Sequence, residues 1–283
     1  MFHPYSSAAR AGKAASRSFV TVNSPLTISS GWSPFASIKV RNSSSVAARI
    51  SAASLRDTVV APRIPCSRAE GDMGHNVAEL VSLMLVTDDG LARDRDLVAL
   101  ALAAEQGGVT SIQVRLKQAT ARGLAEAVRA LVHVLRIPVL VNDRPDVAIA
   151  AGAAGVHLGP EDLPVGLARK IAPPGFVIGA SVGSEAEAGR AASADYWGIG
   201  PWRTTGTKRD AGTPLGPSGV ARLLHLARGK PALAIGGVTA ADVPIILQAG
   251  AQGVAVASGI LGAEDVEEAA RRYAKALTAS PRS

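Results

Sequence analysis

The sequence predicts a single (β/α)8 TIM barrel, an α/β fold, preceded by a disordered N-terminal targeting segment. Three observations lead there. Eight short apolar runs recur from about Asn76 onward, stretches of helical period separate them, and the composition changes abruptly near residue 70.

Residues 1–70 come first. Of the 283 residues, the first 68 hold nine Lys or Arg and fifteen Ser, against one acid, Asp57. This segment therefore carries more than the whole formal net charge of +7, and the remainder is nearly neutral, which removes the argument for a nucleic-acid partner. An acid-poor, Ser- and Arg-rich N-terminus has the composition of an organelle transit peptide. Import into the plastid stroma is the first reading, with the mitochondrion as the alternative and processing expected between Arg63 and Met73. The single cysteine, Cys66, excludes an intrachain disulfide framework and any multi-cysteine metal site. No apolar run approaches the ~18 residues that would cross a bilayer, so no membrane partner is expected.

The predicted domain spans 76–280. Its strands are read at Leu83–Thr87, Ser111–Leu116, Pro138–Asn142, Gly155–Leu158, Val177–Ser181, Tyr196–Gly200, Ala232–Gly236 and Gly253–Ser258. Between the second and third, Leu124, Val128, Leu131 and Leu135 line one helical face. Ser184 with Glu187, and Thr239 with Asp242, read as helix starts. Short buried strands alternating with helices imply a parallel sheet, and eight such units suit a closed barrel. A doubly wound open sheet is the runner-up, but Thr87-Asp88-Asp89-Gly90 after the first strand lacks the glycine-rich turn for a dinucleotide.

Barrel chemistry gathers at the C-terminal ends of the strands. Strand two places Gln113, Arg115 and Lys117 on one face by its period of two, while Ile112, Val114 and Leu116 form the better helix-facing set. An inward Gln, Arg and Lys would be costly to bury without an anionic ligand. Strand three ends in Asn142-Asp143-Arg144, and the exit of strand four carries Asp162. Asp162 could instead cap the next helix, and Asp143 could pair with Arg144 or another base. Taken together beside Arg115 and Lys117, the two acids favour a site for Mg2+ and a diphosphate.

The run Gly200 to Asp210 is rich in hydroxyls and bases and suits an anion-binding lid. Gly236-Gly237 and Ala257-Ser258, after strands seven and eight, stand where barrels bind a phosphate. Two anion sites across one barrel mouth suggest the joining of two phosphorylated small molecules. His157, inside strand four, is open to a packed, hydrogen-bonded or proton-transfer role. No nucleophile elbow is apparent.

In order along the chain, Leu85-Val86-Thr87-Asp88, Gln113-Val114-Arg115-Leu116-Lys117, Val141-Asn142-Asp143-Arg144, Gly155-Val156-His157-Leu158-Gly159, Gly198-Ile199-Gly200-Pro201, Thr205-Gly206-Thr207-Lys208 and Ala234-Ile235-Gly236-Gly237-Val238 resemble the thiamine-phosphate synthase family. The resemblance runs from about Leu83 to Leu277. It implies a transferase that joins 4-amino-2-methyl-5-hydroxymethylpyrimidine diphosphate to a thiazole or carboxythiazole phosphate, giving thiamine phosphate and diphosphate. It further implies that Gln113, Arg115, Lys117, Asn142, Ser181 and Lys208 meet the pyrimidine substrate, with Arg115, Lys117, Ser181 and Lys208 in the catalytic set. Asp143 and Asp162 would hold Mg2+, and Thr205, Thr207, Gly237, Ala257 and Ser258 would contact the thiazole. The family usually has an acid where Leu116 stands; an outward Leu116 should cost catalysis little. A thiazole tautomerase, which would lack the metal carboxylates, and a non-catalytic ligand-binding barrel are the competing readings. A homo-oligomer is left open.

Overall fold

The computed structural model describes residues 75–204 and 212–279. The expected transit segment, with its cleavage region and Cys66, lies outside them, as do Thr205, Thr207 and Lys208.

Within the described residues, eight parallel strands close in sequence order: β1 (Leu83–Val86), β2 (Ser111–Val114), β3 (Val139–Asn142), β4 (Gly155–Leu158), β5 (Val177–Val182), β6 (Tyr196–Ile199), β7 (Ala232–Ile235) and β8 (Gly253–Val256). The open-sheet alternative is thereby excluded, since β8 pairs with β1 through Leu83 and Val254. Most strands are one or two residues shorter than the apolar runs suggest. The run's last residues, such as Arg115 and Leu116, leave the ladder to form the loops of the barrel mouth.

The helices follow in chain order: α1 (Val77–Leu80), α2 (Leu97–Gln106), α3 (Ala121–Val134), α4 (Pro145–Ala151), α5 (Val165–Ile171), α6 (Glu185–Arg190), α7 (Gly216–Ala227), α8 (Val243–Gln248), α9 (Ser258–Leu261) and α10 (Val266–Ala279). None is long and apolar enough to cross a membrane. Helix α3 buries Leu124, Val128 and Leu131 as its period requires. Ser184 caps α6 by accepting the Glu187 amide. The Thr239 and Asp242 signal marks a single 3-10 turn, Ala240–Asp242, that leads into α8.

Two apolar layers result from strand alternation. Ile112 and Val114 pack outward against the helices, with Leu116 laid against the same cluster. Met84, Val86, Leu140, Val177, Tyr196, Leu233 and Ala255 fill the inside. Helix α1 closes the N-terminal end, where Leu80 and Val81 join the inner cluster and the Leu80 carbonyl accepts the Ser111 hydroxyl at 2.7 Å. The interior is thus largely apolar below, where the Ser111 hydroxyl is satisfied by the Leu80 carbonyl, and Gln113, Asn142, His157 and Ser181 stand in the upper half.

Candidate active site

The loop after β1 holds the exit of β2 from several sides. Thr87, fully buried, accepts the Arg115 amide on its hydroxyl at 2.8 Å. Asp88 Oδ2 accepts Arg115 Nη1 at 2.9 Å, and Asp89 Oδ2 accepts the Lys117 amide at 2.8 Å. Both members of the Arg115–Asp88 pair are largely screened from solvent, with side chains 14% and 18% exposed. Sequence reasoning does not single out Asp88 or Asp89 as part of the site. Both directly follow the first apolar run, the same position relative to a strand that Asp143 holds after the third.

Gln113 is buried inside the barrel and donates through Nε2 to Asn142 Oδ1 at 2.8 Å. Each amide thereby orients the other at the junction of β2 and β3. One residue later Asp143 takes a left-handed backbone with φ 65°, a conformation that a short polar side chain tolerates better than most. Its Oδ2 lies 3.7 Å from Lys117 Nζ. Burial, a hydrogen bond shared with Asp162 and the Asp162 charge outweigh the pull of Lys117 and Arg115 and push the Asp143 carboxyl up to about 6. Arg144 pairs instead with Asp146 at 2.6 Å. Asp162 is not the cap of α5, whose first flanking residue is Pro164; its Oδ2 accepts the Gly159 amide at 2.6 Å. Lys117, Asp143 and Asp162 therefore converge, with Arg115 close enough to influence Asp143 electrostatically.

Two carboxyl groups that share a hydrogen bond when one is protonated, beside two cations, make a site that gains from a bound cation and from an anion together. No group of three or more His, Cys, Asp and Glu suited to a metal occurs among the described residues. The pair fits Mg2+, which keeps several waters and commonly takes one or two carboxylates plus substrate phosphates.

His157 is buried and bridges two hydroxyls. Its Nδ1 lies 3.0 Å from Tyr196 Oη and its Nε2 3.0 Å from Ser181 Oγ. Ser181 is thus part of a chain that begins at Tyr196, the first residue of β6.

Across the mouth, the strand-seven exit turns through two left-handed glycines, Gly236 at φ 93° and Gly237 at φ 68°. A side chain at Gly237 would stand 3.0 Å from Arg203 Cβ. Arg203 is held by Asp242, donating Nη1 to Oδ2 at 2.7 Å and Nη2 to Oδ1, while the Asp242 carboxylate also accepts the Thr239 amide at 2.8 Å and hydroxyl at 2.6 Å. Burial raises the Asp242 pKa, but these bonds and the Arg203 charge hold it below the ordinary carboxylate range. Ala257 precedes α9 and Ser258 opens it, with Ser258 exposed. The residues assigned to two anion sites therefore surround one mouth, with Thr205, Thr207 and Lys208 outside the described residues.

Comparison with known proteins gives these positions a family. Residues 83–260 match the model of thiamine monophosphate synthase. The thiamine-phosphate synthase of Azorhizobium caulinodans is 47% identical over 208 residues, covering 71% of this chain and 97% of that protein. That of Methanoculleus marisnigri is 48% identical over 203 residues, covering 70% and 96%. Among solved structures, the thiamine phosphate pyrophosphorylase of Pyrococcus furiosus superposes with a TM-score of 0.66 at 36% identity, covering 72% of this chain and 98% of that one. With the family model spanning most of the barrel and relatives this similar along nearly their whole length, the chain belongs to the thiamine monophosphate synthase family.

Proposed function

We propose that this protein is a Mg2+-dependent transferase of thiamine biosynthesis. It joins 4-amino-2-methyl-5-hydroxymethylpyrimidine diphosphate to thiazole or carboxythiazole phosphate and releases diphosphate, together with CO2 when the carboxythiazole is the partner. The names of its relatives support the reaction. The observation that carries it is the convergence of Lys117, Asp143 and Asp162 beside Arg115 at one end of the barrel.

Diphosphate departs readily only when its charge is neutralised. Mg2+, held by Asp143 and Asp162, supplies part of that neutralisation when bound. Arg115 and Lys117 supply the rest from this chain's described residues, and the resemblance adds Lys208. The Gln113 and Asn142 amides, already paired, offer the pyrimidine a fixed set of donors and acceptors. Ser181 adds a hydroxyl on the same side. The amino group of the pyrimidine pushes electrons toward the exocyclic carbon as its C–O bond breaks, and the thiazole nitrogen then forms the new C–N bond. That nitrogen attacks with a lone pair and carries no proton, so the step needs no general base. Gly237, Ala257 and Ser258 take the thiazole phosphate on the opposite side, and the resemblance adds Thr205 and Thr207 to its contacts.

Incubation of the protein with both substrates and Mg2+ tests this directly. Thiamine phosphate and diphosphate should appear in equal amounts and cease when the metal is chelated. Isomerisation of a thiazole carboxylate without consumption of the pyrimidine would favour a tautomerase instead.

We also infer that residues 1–70 are an address for the plastid stroma, on their Ser- and Arg-rich, acid-poor composition. A fluorescent protein carrying only this segment should enter plastids; entry into mitochondria would select the alternative.

A further inference from the structure

We infer that Tyr196, acting through His157, fixes the Ser181 hydroxyl as a hydrogen-bond donor toward the barrel mouth, which makes the two buried residues positioning groups for the pyrimidine substrate. The inference rests on the synthase reading for the identity of that substrate and on geometry for the rest.

The strand register sets the direction of the chain. His157 is paired in register with Gly179, and Gly179 with Tyr196, whereas Ser181 lies two residues farther toward the C-terminal end of β5. Tyr196 and His157 thus start from one level of the barrel, and Ser181 stands nearer the mouth. Two glycines make room for them. A Cβ at Gly179 would stand 2.1 Å from Tyr196 Cζ, and one at Gly198 would stand 3.0 Å from His157 Cε1.

The direction of the hydrogen bonds follows from the apolar end. Tyr196 is fully buried among Met84, Val177 and Leu233. Among the described residues, its hydroxyl has His157 Nδ1 as its hydrogen-bond partner. Burial, with the Asp195 charge adding to it, holds the phenol far above its ordinary pKa, so the proton stays on oxygen. If that oxygen accepted from Nδ1, its own proton would face the apolar layer without an acceptor, at the full cost of its desolvation. Tyr196 therefore donates and Nδ1 accepts. A neutral imidazole has one ring proton, which must then sit on Nε2 and be donated to Ser181 Oγ. With that oxygen already accepting, the Ser181 proton is left for an acceptor in the mouth, such as a pyrimidine ring nitrogen or a phosphate oxygen.

Long-range proton–nitrogen correlation spectra of the 15N-histidine-labelled protein, without substrates, read the tautomer. The His157 resonances, assigned by their loss in His157→Gln, should show a protonated Nε2 and a bare Nδ1. A protonated Nδ1 would overturn the inference. Kinetics supply a second measure, because a glutamine amide reaches the Nε2 position and an asparagine amide only that of Nδ1. His157→Gln should keep kcat/KM for the pyrimidine diphosphate within about threefold of wild type. His157→Asn and Tyr196→Phe should each lose roughly tenfold, the scale of one well-placed hydrogen bond, with KM for the thiazole phosphate unchanged. Equal losses in the glutamine and asparagine variants would also overturn it, since a purely space-filling role does not distinguish which ring nitrogen is replaced. The spectra need neither substrate, so a wild type that forms no thiamine phosphate would count against the synthase reading alone.

Discussion

The guanidinium of Arg115 is held by Asp88, 2.9 Å away across the mouth between β1 and β2. An acid at the end of one strand thereby aims a base at the end of the next. Asp88→Asn keeps the side-chain size and removes the charge that orients Arg115. KM for the pyrimidine diphosphate should rise roughly fivefold, equivalent to about 1 kcal/mol. KM for the thiazole phosphate should not move, and steady-state kinetics with each substrate varied in turn checks both.

Asp143→Asn and Asp162→Asn should each leave a folded barrel and lower turnover by about a hundredfold, the scale of one missing electrostatic group at a transition state. Circular dichroism and a Mg2+ titration of the rate distinguish this from unfolding. Wild-type turnover at saturating Mg2+ in both variants would remove the metal assignment.

The same pair makes a pH prediction for the metal-free protein. Folding raises the Asp143 carboxyl from 3.8 to about 6, so between these values the folded state binds more protons than the unfolded chain. Its contribution to stability is present below 3.8 and is lost as pH rises through about 6. The stability of wild type relative to Asp143→Asn should therefore fall over that window, as urea denaturation at pH 4.5 and pH 7 would show. Mg2+ competes with the shared proton, so its affinity should increase over the same window.

The two sides of the mouth should separate by mutation. Gly237→Ala puts a Cβ on a left-handed residue and 3.0 Å from Arg203 Cβ, so denaturation should show a loss of about 1–2 kcal/mol. Ser258→Glu adds a negative charge where a phosphate is expected. Calorimetry should find thiazole phosphate binding weakened in both variants, whereas Arg115→Ala should weaken pyrimidine diphosphate binding. Equal weakening of both substrates in every variant would mean that the mouth is divided differently.

Two truncations should differ sharply. Removal of residues 1–68 leaves α1 and all eight strands, so the product should be folded and active. Removal through Ser82 also takes Leu80 and Val81, which are 1% and 0% exposed in the inner layer. That loss opens the barrel floor and should cost about 2–5 kcal/mol, measurable as a lower urea midpoint.

The barrel was legible because strand and helix leave different periods in the chain. Runs such as Gly155–Leu158 keep their predicted bounds in the structure. The Leu124, Val128 and Leu131 face of α3 is a local pattern that needs no distant partner to be read. Strand ends could be searched for polar residues for the same reason, and this finds Arg115, Asp143 and Asp162 from the sequence.

The sequence by itself determined the alternation of eight strands with helices, the charge boundary near residue 70 and the residue types available at each strand end. Only the tertiary structure decided which of those residues meet. Arg115 takes Asp88 rather than a free place in the mouth, Arg144 takes Asp146 rather than Asp143, and Ser181 reaches Tyr196 through His157. Periodicity specifies the face on which a side chain emerges, whereas its partner depends on the register and closure of neighbouring strands, which bring together residues as far apart as Tyr196 and His157.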